Sequence, residues 1–105
     1  MLKIYIAGKI TGEPLAKARE KFAETACLLS LKGFDPVNPM EVSPYVAYKP
    51  WNDYMSEGIA ALLQCEAIYL LNDWGQSRGA RVEYAIAKEL GLQVFFEGAF
   101  NISSF

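Results

Sequence analysis

A glutamate within a helical stretch is the side chain best suited to covalent or acid–base chemistry in this sequence. Glu83 lies in a segment with helical spacing, and its neighbours four positions away are Gly79 and Ala87. Because neither neighbour carries a bulky side chain, the helix surface around Glu83 has room for a ligand. A carboxylate that borders apolar surface there, without a cationic partner, has a raised pKa. The alternative is a surface glutamate that pairs with Arg78, Arg81 or a lysine.

A tyrosine in the first predicted strand is a suitable partner for that carboxylate. Tyr5 alternates with Ile4 and Ile6, so its hydroxyl points from the sheet toward one helical layer. A buried phenol needs a hydrogen-bond partner, and a carboxylate is a good one. A backbone carbonyl is the alternative acceptor. The GKITG segment that begins at Gly8 matches neither the GxGxxG fingerprint nor a P-loop, so it gives little indication of a dinucleotide or a nucleoside triphosphate.

Polar and aromatic residues stand where the predicted strands and helices meet. Ser77 is a predicted N-cap, and the first-turn amides and dipole of the helix that follows it suit an anion. Asp73, after the third predicted strand, either hydrogen-bonds a ligand or forms an Asx turn. Trp51 and Trp74 offer flat surfaces on which a base can stack. Asp53 lies in the first turn of a predicted helix, where attraction to the helix dipole is the favoured explanation.

The composition of the 105-residue chain excludes several kinds of site. There is no histidine, which removes Ser-His-Asp and Cys-His catalysis and His-ligated zinc. Catalysis would therefore depend on carboxylates, tyrosines, lysines or backbone dipoles.

A net charge of -2 argues against nucleic-acid polymers and membrane surfaces as partners. Without a leader or a long apolar run, a cytoplasmic location is expected. Cys27 and Cys65 lack CxxC spacing and are expected to be buried free thiols, and no metal or cofactor is predicted.

The elements that position these residues follow from hydrophobic periodicity. Helices are predicted from residue 15 to Gly33, from about Trp51, and from Ser77 to Leu90. Strands are predicted at residues 2–7, 34–37, 67–71 and 92–96. This alternation predicts one domain over residues 1–105, an α/β three-layer sandwich with a four- to five-stranded parallel sheet of the Rossmann-like or flavodoxin-like kind.

Three loops are expected at the C-terminal edge of this sheet, where such folds bind ligands. They span residues 8–14, 38–50 and 72–79. The middle loop is rich in proline and is predicted to be irregular.

Pro36 places the second strand at a sheet edge. The helical stripe expected to face the core beside Glu83 consists of Val82, Ile86 and Leu90. The apolar tail at 97–105 is expected to pack on its own domain or on a neighbouring subunit.

Taken in order, the motifs resemble the nucleoside 2-deoxyribosyltransferase superfamily, most closely its small members of about this length. The motifs are IYIAGKITG at 4–12, VNP at 37–39, WNDYM at 51–55, and S-x-G-A-x-x-E-x-A-x-A at 77–87. The ordered set covers nearly the whole chain and is more specific than any one of its parts. The resemblance implies the same sandwich fold and a homodimer or higher homo-oligomer, with pockets completed across the subunit interface.

The resemblance also implies a reaction. In this superfamily a glutamate, which corresponds to Glu83, attacks C1′ of a deoxyribosyl group and expels the base, and a tyrosine that corresponds to Tyr5 orients it. Such a nucleophile proceeds through a covalent glycosyl-enzyme. Ser77 stands where transferases of free nucleosides carry an aspartate and nucleotide N-glycoside hydrolases carry a serine near the 5′-phosphate. This implies a nucleoside monophosphate as substrate and water as acceptor. Asp73 is the candidate base contact or proton donor, and Lys9 stands in the place of a family proline.

The implied ligand is a small-molecule nucleoside or nucleotide. The residues expected to bind it are Gly8, Lys9, Ile10, Asn38, Trp51, Asp53, Trp74, Ser77, Gly79 and Ala80. The leading hypothesis is cleavage or transfer of an N-glycosidic bond. Two alternatives are a non-catalytic nucleotide-binding or regulatory module and an oligomeric scaffold. Tight nucleotide binding without base release favours the first, and a melting temperature that no nucleotide changes favours the second.

Overall fold

The computed structural model describes residues 1–99, and the four strands among them form one parallel sheet. The strands are β1 (Lys3–Ala7), β2 (Asp35–Val37), β3 (Ala67–Leu70) and β4 (Gln93–Phe96). They lie in the order β2-β1-β3-β4, and every neighbouring pair is parallel. β2 is an edge strand, as the proline at its centre predicts.

Helices connect the strands and cover both faces of the sheet. They are α1 (Leu15–Leu31), α2 (Pro39–Val42), α3 (Trp51–Leu62) and α4 (Arg78–Glu89), with a 3-10 turn at Trp74–Gln76 before α4. On one face, Phe22 and Leu29 of α1 belong to the same apolar cluster as Ile4 of β1. On the other face, Leu62 of α3 and Ala87 of α4 belong to a cluster with residues of β1 and β3. The predicted three-layer α/β sandwich is therefore confirmed.

The order of the strands creates a crevice at the C-terminal edge of the sheet. From β1 the chain winds outward to β2, and it then crosses to the other side of β1 to form β3 and β4. The connection after β1 leads to α1 on one face, whereas the connection after β3 leads to α4 on the opposite face. Loops that diverge in this way leave open space between them, which is where parallel sheets of this kind bind ligands.

The segment 38–50, predicted to be irregular, contains the short helix α2. Asn38 caps this helix, because its Oδ1 accepts a hydrogen bond from the backbone N–H of Met40 at 3.0 Å. Pro39 occupies the first helical position, where a proline loses no hydrogen bond and its fixed φ suits the helix. The Asn-Pro pair therefore begins a helix here, and the prediction of a fully irregular loop is wrong.

The buried face of α4 differs from the predicted stripe of Val82, Ile86 and Leu90. Its buried residues are Ala80, Glu83 and Ala87. Leu90 is 52% exposed at the end of the helix, and Val82 and Ile86 are only partly buried. Small alanines let the helix pack close to its neighbours, so they occupy the inner face. Glu83 consequently lies on the buried face itself, where its carboxylate is withdrawn from water.

The two cysteines differ in burial. Cys65 is buried, its Sγ donates to the carbonyl oxygen of Ala61 at 3.4 Å, and burial raises the pKa of its thiol to about 11. Cys27 is exposed, so its predicted burial is wrong. It follows the buried Phe22 by five positions, which places it on the far side of α1.

The remaining expectations concern the C-terminal segment and membranes. A helical turn begins at 97–99, whereas Phe100, Ile102 and Phe105, on which the predicted packing of the tail depends, lie outside the described residues. Within the described part of the chain, no helix combines the length and the apolar character that crossing a bilayer requires.

Candidate active site

Tyr5 and Glu83 form a buried hydrogen-bonded pair at the C-terminal edge of the sheet. The Tyr5 hydroxyl donates to Oε2 of Glu83 at 2.6 Å. Tyr5 is 1% exposed and Glu83 is 8% exposed. β1 is a central strand, so the phenol extends from the middle of the sheet, and α4 packs over the same face with its alanines. A short bond of this kind holds the carboxylate in one orientation.

Burial sets the protonation of this pair. Desolvation raises the pKa of Glu83 from 4.5 to about 7, and the hydrogen bond from Tyr5 opposes that rise because it stabilises the carboxylate. Burial, followed by the charge of Glu83, raises the pKa of Tyr5 well above its ordinary value, so the phenol stays protonated as a donor. The carboxyl group is therefore divided between its two protonation states near neutral pH.

Glu83 has no cationic partner among residues 1–99, so the alternative of a surface ion pair is wrong. The guanidinium of Arg78 lies over the Trp51 ring at 4.3 Å from its centroid. Arg81 donates instead to the carbonyl oxygen of Gly75 at 2.9 Å. The alternative for Tyr5, a bond to a backbone carbonyl, is likewise replaced by the bond to the carboxylate.

Gly58 of α3 makes room for the pair. A Cβ atom at this position would lie 2.8 Å from the Tyr5 hydroxyl oxygen and 2.9 Å from Oε2 of Glu83, closer than such atoms approach. Gly58 is buried, and it brings the backbone of α3 directly against both functional groups. Gly58 was not among the predicted site residues. The available signal was a glycine inside a helix, which is unfavourable there unless close packing requires it.

The pair opens into a cavity of about 670 Å³, which lies in the range of small-molecule sites. Its wall comprises the loop after β1, α2 with the segment that follows it, one side of α3 and the first turns of α4. Eight of the predicted site residues line it: Tyr5, Gly8, Ile10, Trp51, Ser77, Gly79, Ala80 and Glu83. The wall also includes Tyr45, Val46, Tyr48 and Lys49, none of which is among the predicted site residues.

The start of α4 presents anion-binding groups to this cavity. As predicted, Ser77 is the N-cap, and its Oγ accepts a hydrogen bond from the backbone N–H of Ala80 at 3.1 Å. The backbone amides of Arg78 and Gly79 precede the first intrahelical bond and have no acceptor within residues 1–99. Together with the Ser77 hydroxyl, these amides can bind a phosphate or carboxylate group of a ligand.

Asp73 and Lys9 do not line the cavity, contrary to prediction. Oδ1 of Asp73 accepts from the backbone N–H of Lys9 at 3.0 Å, and its Oδ2 accepts from Nζ of Lys21 at 2.6 Å. Lys21 also binds Oε1 of Glu13 at 2.6 Å and the carbonyl oxygen of Lys9 at 2.8 Å. These bonds join the loop after β1 to the loop after β3. Both oxygens of Asp73 are engaged in that link and lie outside the lining of the cavity.

Three further residues predicted to bind substrate do not line the cavity. Asn38 caps α2, as described above. Asp53 is an exposed residue in the first turn of α3, consistent with its dipole explanation. Trp74 packs on Tyr84 with ring centroids 4.8 Å apart, and on Phe96 at 6.2 Å. Its indole is therefore part of the packing between α4 and β4, and it does not line the cavity.

Among the described residues, His, Cys, Asp and Glu side chains form no group of three that can hold a metal ion.

The fold and the cavity define a Rossmann-like α/β protein that has a buried carboxylate–phenol pair at its topological switch point. Residues 2–96 match a family described as "Domain of unknown function (DUF4406)", and the chain belongs to that family.

The fold is similar to that of the 2-desoxiribosyltransferase from Leishmania mexicana, with a TM-score of 0.68 and 20% sequence identity. The match covers 91% of this chain and 63% of that protein, so this chain spans less than two thirds of its length. At this identity the likeness establishes the fold, and the predicted deoxyribosyltransferase-like architecture is confirmed. No functionally curated protein matches the sequence significantly.

Proposed function

We propose that this protein breaks the N-glycosidic bond of a deoxynucleoside or deoxynucleoside 5′-monophosphate, with Glu83 as the nucleophile. One observation carries the proposal. The Glu83 carboxylate, at 8% exposure, lies at a cavity wall with a phenol donor and without a neutralising cation among residues 1–99. A carboxylate held in this way is strongly nucleophilic, because it is poorly solvated and already oriented.

The reaction has two steps. An oxygen of Glu83 bonds to C1′ while the bond from C1′ to the base nitrogen breaks, and the electron pair of that bond leaves with the base, which takes a proton from solvent. Water then attacks C1′, the bond from C1′ to Glu83 breaks, and the carboxylate is regenerated as the proton of that water returns to solvent. The net change is the addition of one water molecule across the N-glycosidic bond, as in retaining glycosidases.

Tyr5 and Gly58 act as positioning residues in this scheme. The Tyr5 hydroxyl holds Oε2 of Glu83, which leaves Oε1 for attack. Gly58 admits both groups beside α3. The pKa of about 7 for Glu83 means that the ionised nucleophile is abundant at neutral pH, although burial opposes its charge.

The groups at the start of α4 favour a substrate that carries a 5′-phosphate. The Ser77 hydroxyl and the amides at the start of α4 line the same wall as Glu83 and can accept an anion there. A phosphate bound to these groups would orient the sugar relative to the carboxylate, and water is the acceptor we assign.

Base release tests the proposal directly. The purified chain is incubated with each deoxynucleoside and each deoxynucleoside 5′-monophosphate, and free base is measured by chromatography. Glu83→Gln keeps an oxygen that can accept the bond from Tyr5 but removes the nucleophile, so we expect release to fall by about 10³-fold or more. Glu89→Gln, an exposed change in the same helix, is the matched control and should keep parental activity.

A glycosylated intermediate gives a second measurement. Rapid acid quenching of the parent with its substrate should show a peptide containing Glu83 that is heavier by one deoxyribosyl or deoxyribosyl phosphate group. Equal base release by Glu83→Gln and the parent would remove Glu83 as the nucleophile. Tight nucleotide binding by the parent, with no release over hours, would support the non-catalytic binding module instead.

A further inference from the structure

The segment between α2 and α3 forms an aromatic wall at the mouth of the cavity. It is fastened to α3 at two points. Tyr54 accepts a hydrogen bond from the backbone N–H of Val46 at 2.9 Å and donates one to the Val46 carbonyl at 3.0 Å. Lys49 donates to Oε1 of Glu57 at 2.7 Å and to Oγ of Ser43 at 3.0 Å. These contacts hold the backbone of the wall, so its side chains are presented from a defined position.

Tyr48 lies at the outer part of this wall and has two unusual properties. Its side chain is fully exposed, at 101% of the reference area, although it lines the cavity. Its φ is 65°, and within residues 1–99 every other residue with a positive φ is a glycine. A left-handed backbone is unfavourable for a bulky residue, and glycine or asparagine would form this turn at less strain. Strain of this kind is often found where a side chain has a functional position.

Three of the other aromatic residues of the cavity already have partners for their rings or polar ends. Tyr5 is buried in the core and bonded to Glu83. The Trp51 ring has the Arg78 guanidinium over it, and the Tyr54 ring has the Lys49 ammonium 4.5 Å from its centroid. Tyr45, which also lines the cavity, is 58% exposed but has no positive φ, so exposure and a left-handed backbone coincide at Tyr48 within residues 1–99. Among residues 1–99, Tyr48 has no ring or cation contact of this kind, so both faces of its ring are open to a ligand.

We infer that Tyr48 is a substrate-contact residue whose ring stacks on the nucleobase, an inference that rests on the proposed function for the identity of the ligand. A base has a planar π-face, and stacking on it would bury the ring of Tyr48, which is now entirely in water. Because every base offers such a face, Tyr48 strengthens binding of nucleotides without selecting one base.

The test separates the ring from the backbone. In the inactive Glu83→Gln background, Tyr48 is changed to Phe, Ala or Gly, and calorimetry measures binding of the four deoxynucleoside 5′-monophosphates and of 2-deoxyribose 5-phosphate. We expect Tyr48→Phe to bind nucleotides as the background does. Tyr48→Ala and Tyr48→Gly should bind them about tenfold more weakly. All variants should bind the sugar phosphate, which has no base, equally. Tyr48→Gly should unfold at the same or a higher temperature, because glycine relieves the positive φ.

Two results would overturn the inference. One is nucleotide binding by Tyr48→Ala within twofold of the background. The other is an equal loss of nucleotide and sugar phosphate binding, which would show general damage to the cavity. Base release by the parent is measured separately. If the parent releases no base while Tyr48→Ala weakens nucleotide binding, the proposed function fails and the contact remains. If the parent releases base and Tyr48→Ala binds nucleotides normally, only the inference on Tyr48 fails.

Discussion

At the scale of single residues, the chemistry of the cavity depends on two opposing effects on Glu83. Burial favours its neutral form, whereas the hydrogen bond from Tyr5 favours its charged form, and burial is the larger effect. The balance leaves the pKa at about 7. A surface glutamate would be fully ionised and well solvated at neutral pH, and it would therefore be a weaker nucleophile.

Tyr5→Phe should move the pH dependence of base release. Loss of the hydroxyl removes the bond that stabilises the carboxylate, so the pKa of Glu83 rises above its present value of about 7. The ascending limb of kcat/KM against pH should shift to higher pH, and activity at pH 6 should fall on the order of tenfold, because bonds to charged groups contribute about 1.5–3 kcal/mol.

The control for this change is Tyr84→Phe, which alters a tyrosine of α4 that packs on Trp74. Its profile should match that of the parent. A profile for Tyr5→Phe that is lower at every pH but has the same midpoint would contradict the assigned effect on the pKa of Glu83.

At the scale of elements, the pair exists because three elements meet at one point. β1 supplies the phenol, α4 supplies the carboxylate, and α3 presents a glycine to both. Propensity alone favours alanine over glycine inside a helix by about 1 kcal/mol. The glycine in α3 is therefore explained by tertiary packing, since local helix stability would select another residue.

Gly58→Ala should disable the site although it suits the helix. The new methyl group would lie 2.8 Å from the Tyr5 hydroxyl and 2.9 Å from Glu83, so the pair must separate or α3 must shift. We expect base release to fall at least about tenfold, a change measured with the chromatographic assay. Gly75→Ala is the matched control, because a Cβ there meets no atom within 4 Å. Full activity of Gly58→Ala, together with a stability gain near 1 kcal/mol, would show that the pair tolerates the methyl group.

Lys21 links the two loops at the sheet edge, and its removal should loosen one wall of the cavity. Although partial burial disfavours its charge, the hydrogen bonds that it donates to Asp73 and Glu13 leave the pKa of Lys21 above its ordinary value. Lys21→Met leaves two carboxylates without their shared cation, so we expect the free energy of unfolding to fall by about 1–2 kcal/mol and KM to rise more than kcat falls. Lys17→Met, an exposed change in the same helix, is the control. An unchanged KM would show that the link does not support the cavity.

At the scale of the whole molecule, the acid that performs the proposed chemistry destabilises the fold at neutral pH. The ordinary pKa of 4.5 describes Glu83 in the unfolded chain, whereas the folded value is about 7. Below pH 4.5 both states are protonated and the group has no effect on stability. As the pH rises from 4.5 to about 7, the unfolded state releases this proton while the folded state keeps it, so the free energy of unfolding decreases, by an amount on the order of 3 kcal/mol in all, and above about 7 it no longer changes.

Glu83→Gln should therefore be more stable than the parent at high pH and equally stable at low pH. Glutamine has nearly the same shape but cannot ionise, so the difference between the two curves isolates this one group. Denaturant unfolding measured from pH 4 to pH 9 should show a gap that opens between pH 4.5 and about 7 and is constant beyond. A gap that does not depend on pH would mean that Glu83 is not a buried acid of raised pKa.

Much of this arrangement could be predicted from local sequence. Strand alternation placed Tyr5 on a sheet face, helical spacing placed Glu83 between two small residues, and Ser77 marked the start of α4. These features depend on periodicity and capping, which act over a few residues. The fold class follows from the same information, because alternating strands and helices have few compact arrangements.

The geometry of contacts between distant residues depended on tertiary structure, even where the pairing itself was predicted. Tyr5 and Glu83 are separated by 78 positions, and their contact requires a particular rotation of α4, which its alanines set by packing inward. Local sequence does not determine how a helix is rotated against its neighbours. The inner face of α4, the bonds of Asp73 and the need for Gly58 were therefore not predicted. Residue type and spacing thus determined which groups this protein has available for chemistry, and close packing between segments far apart in the chain decided which of them meet.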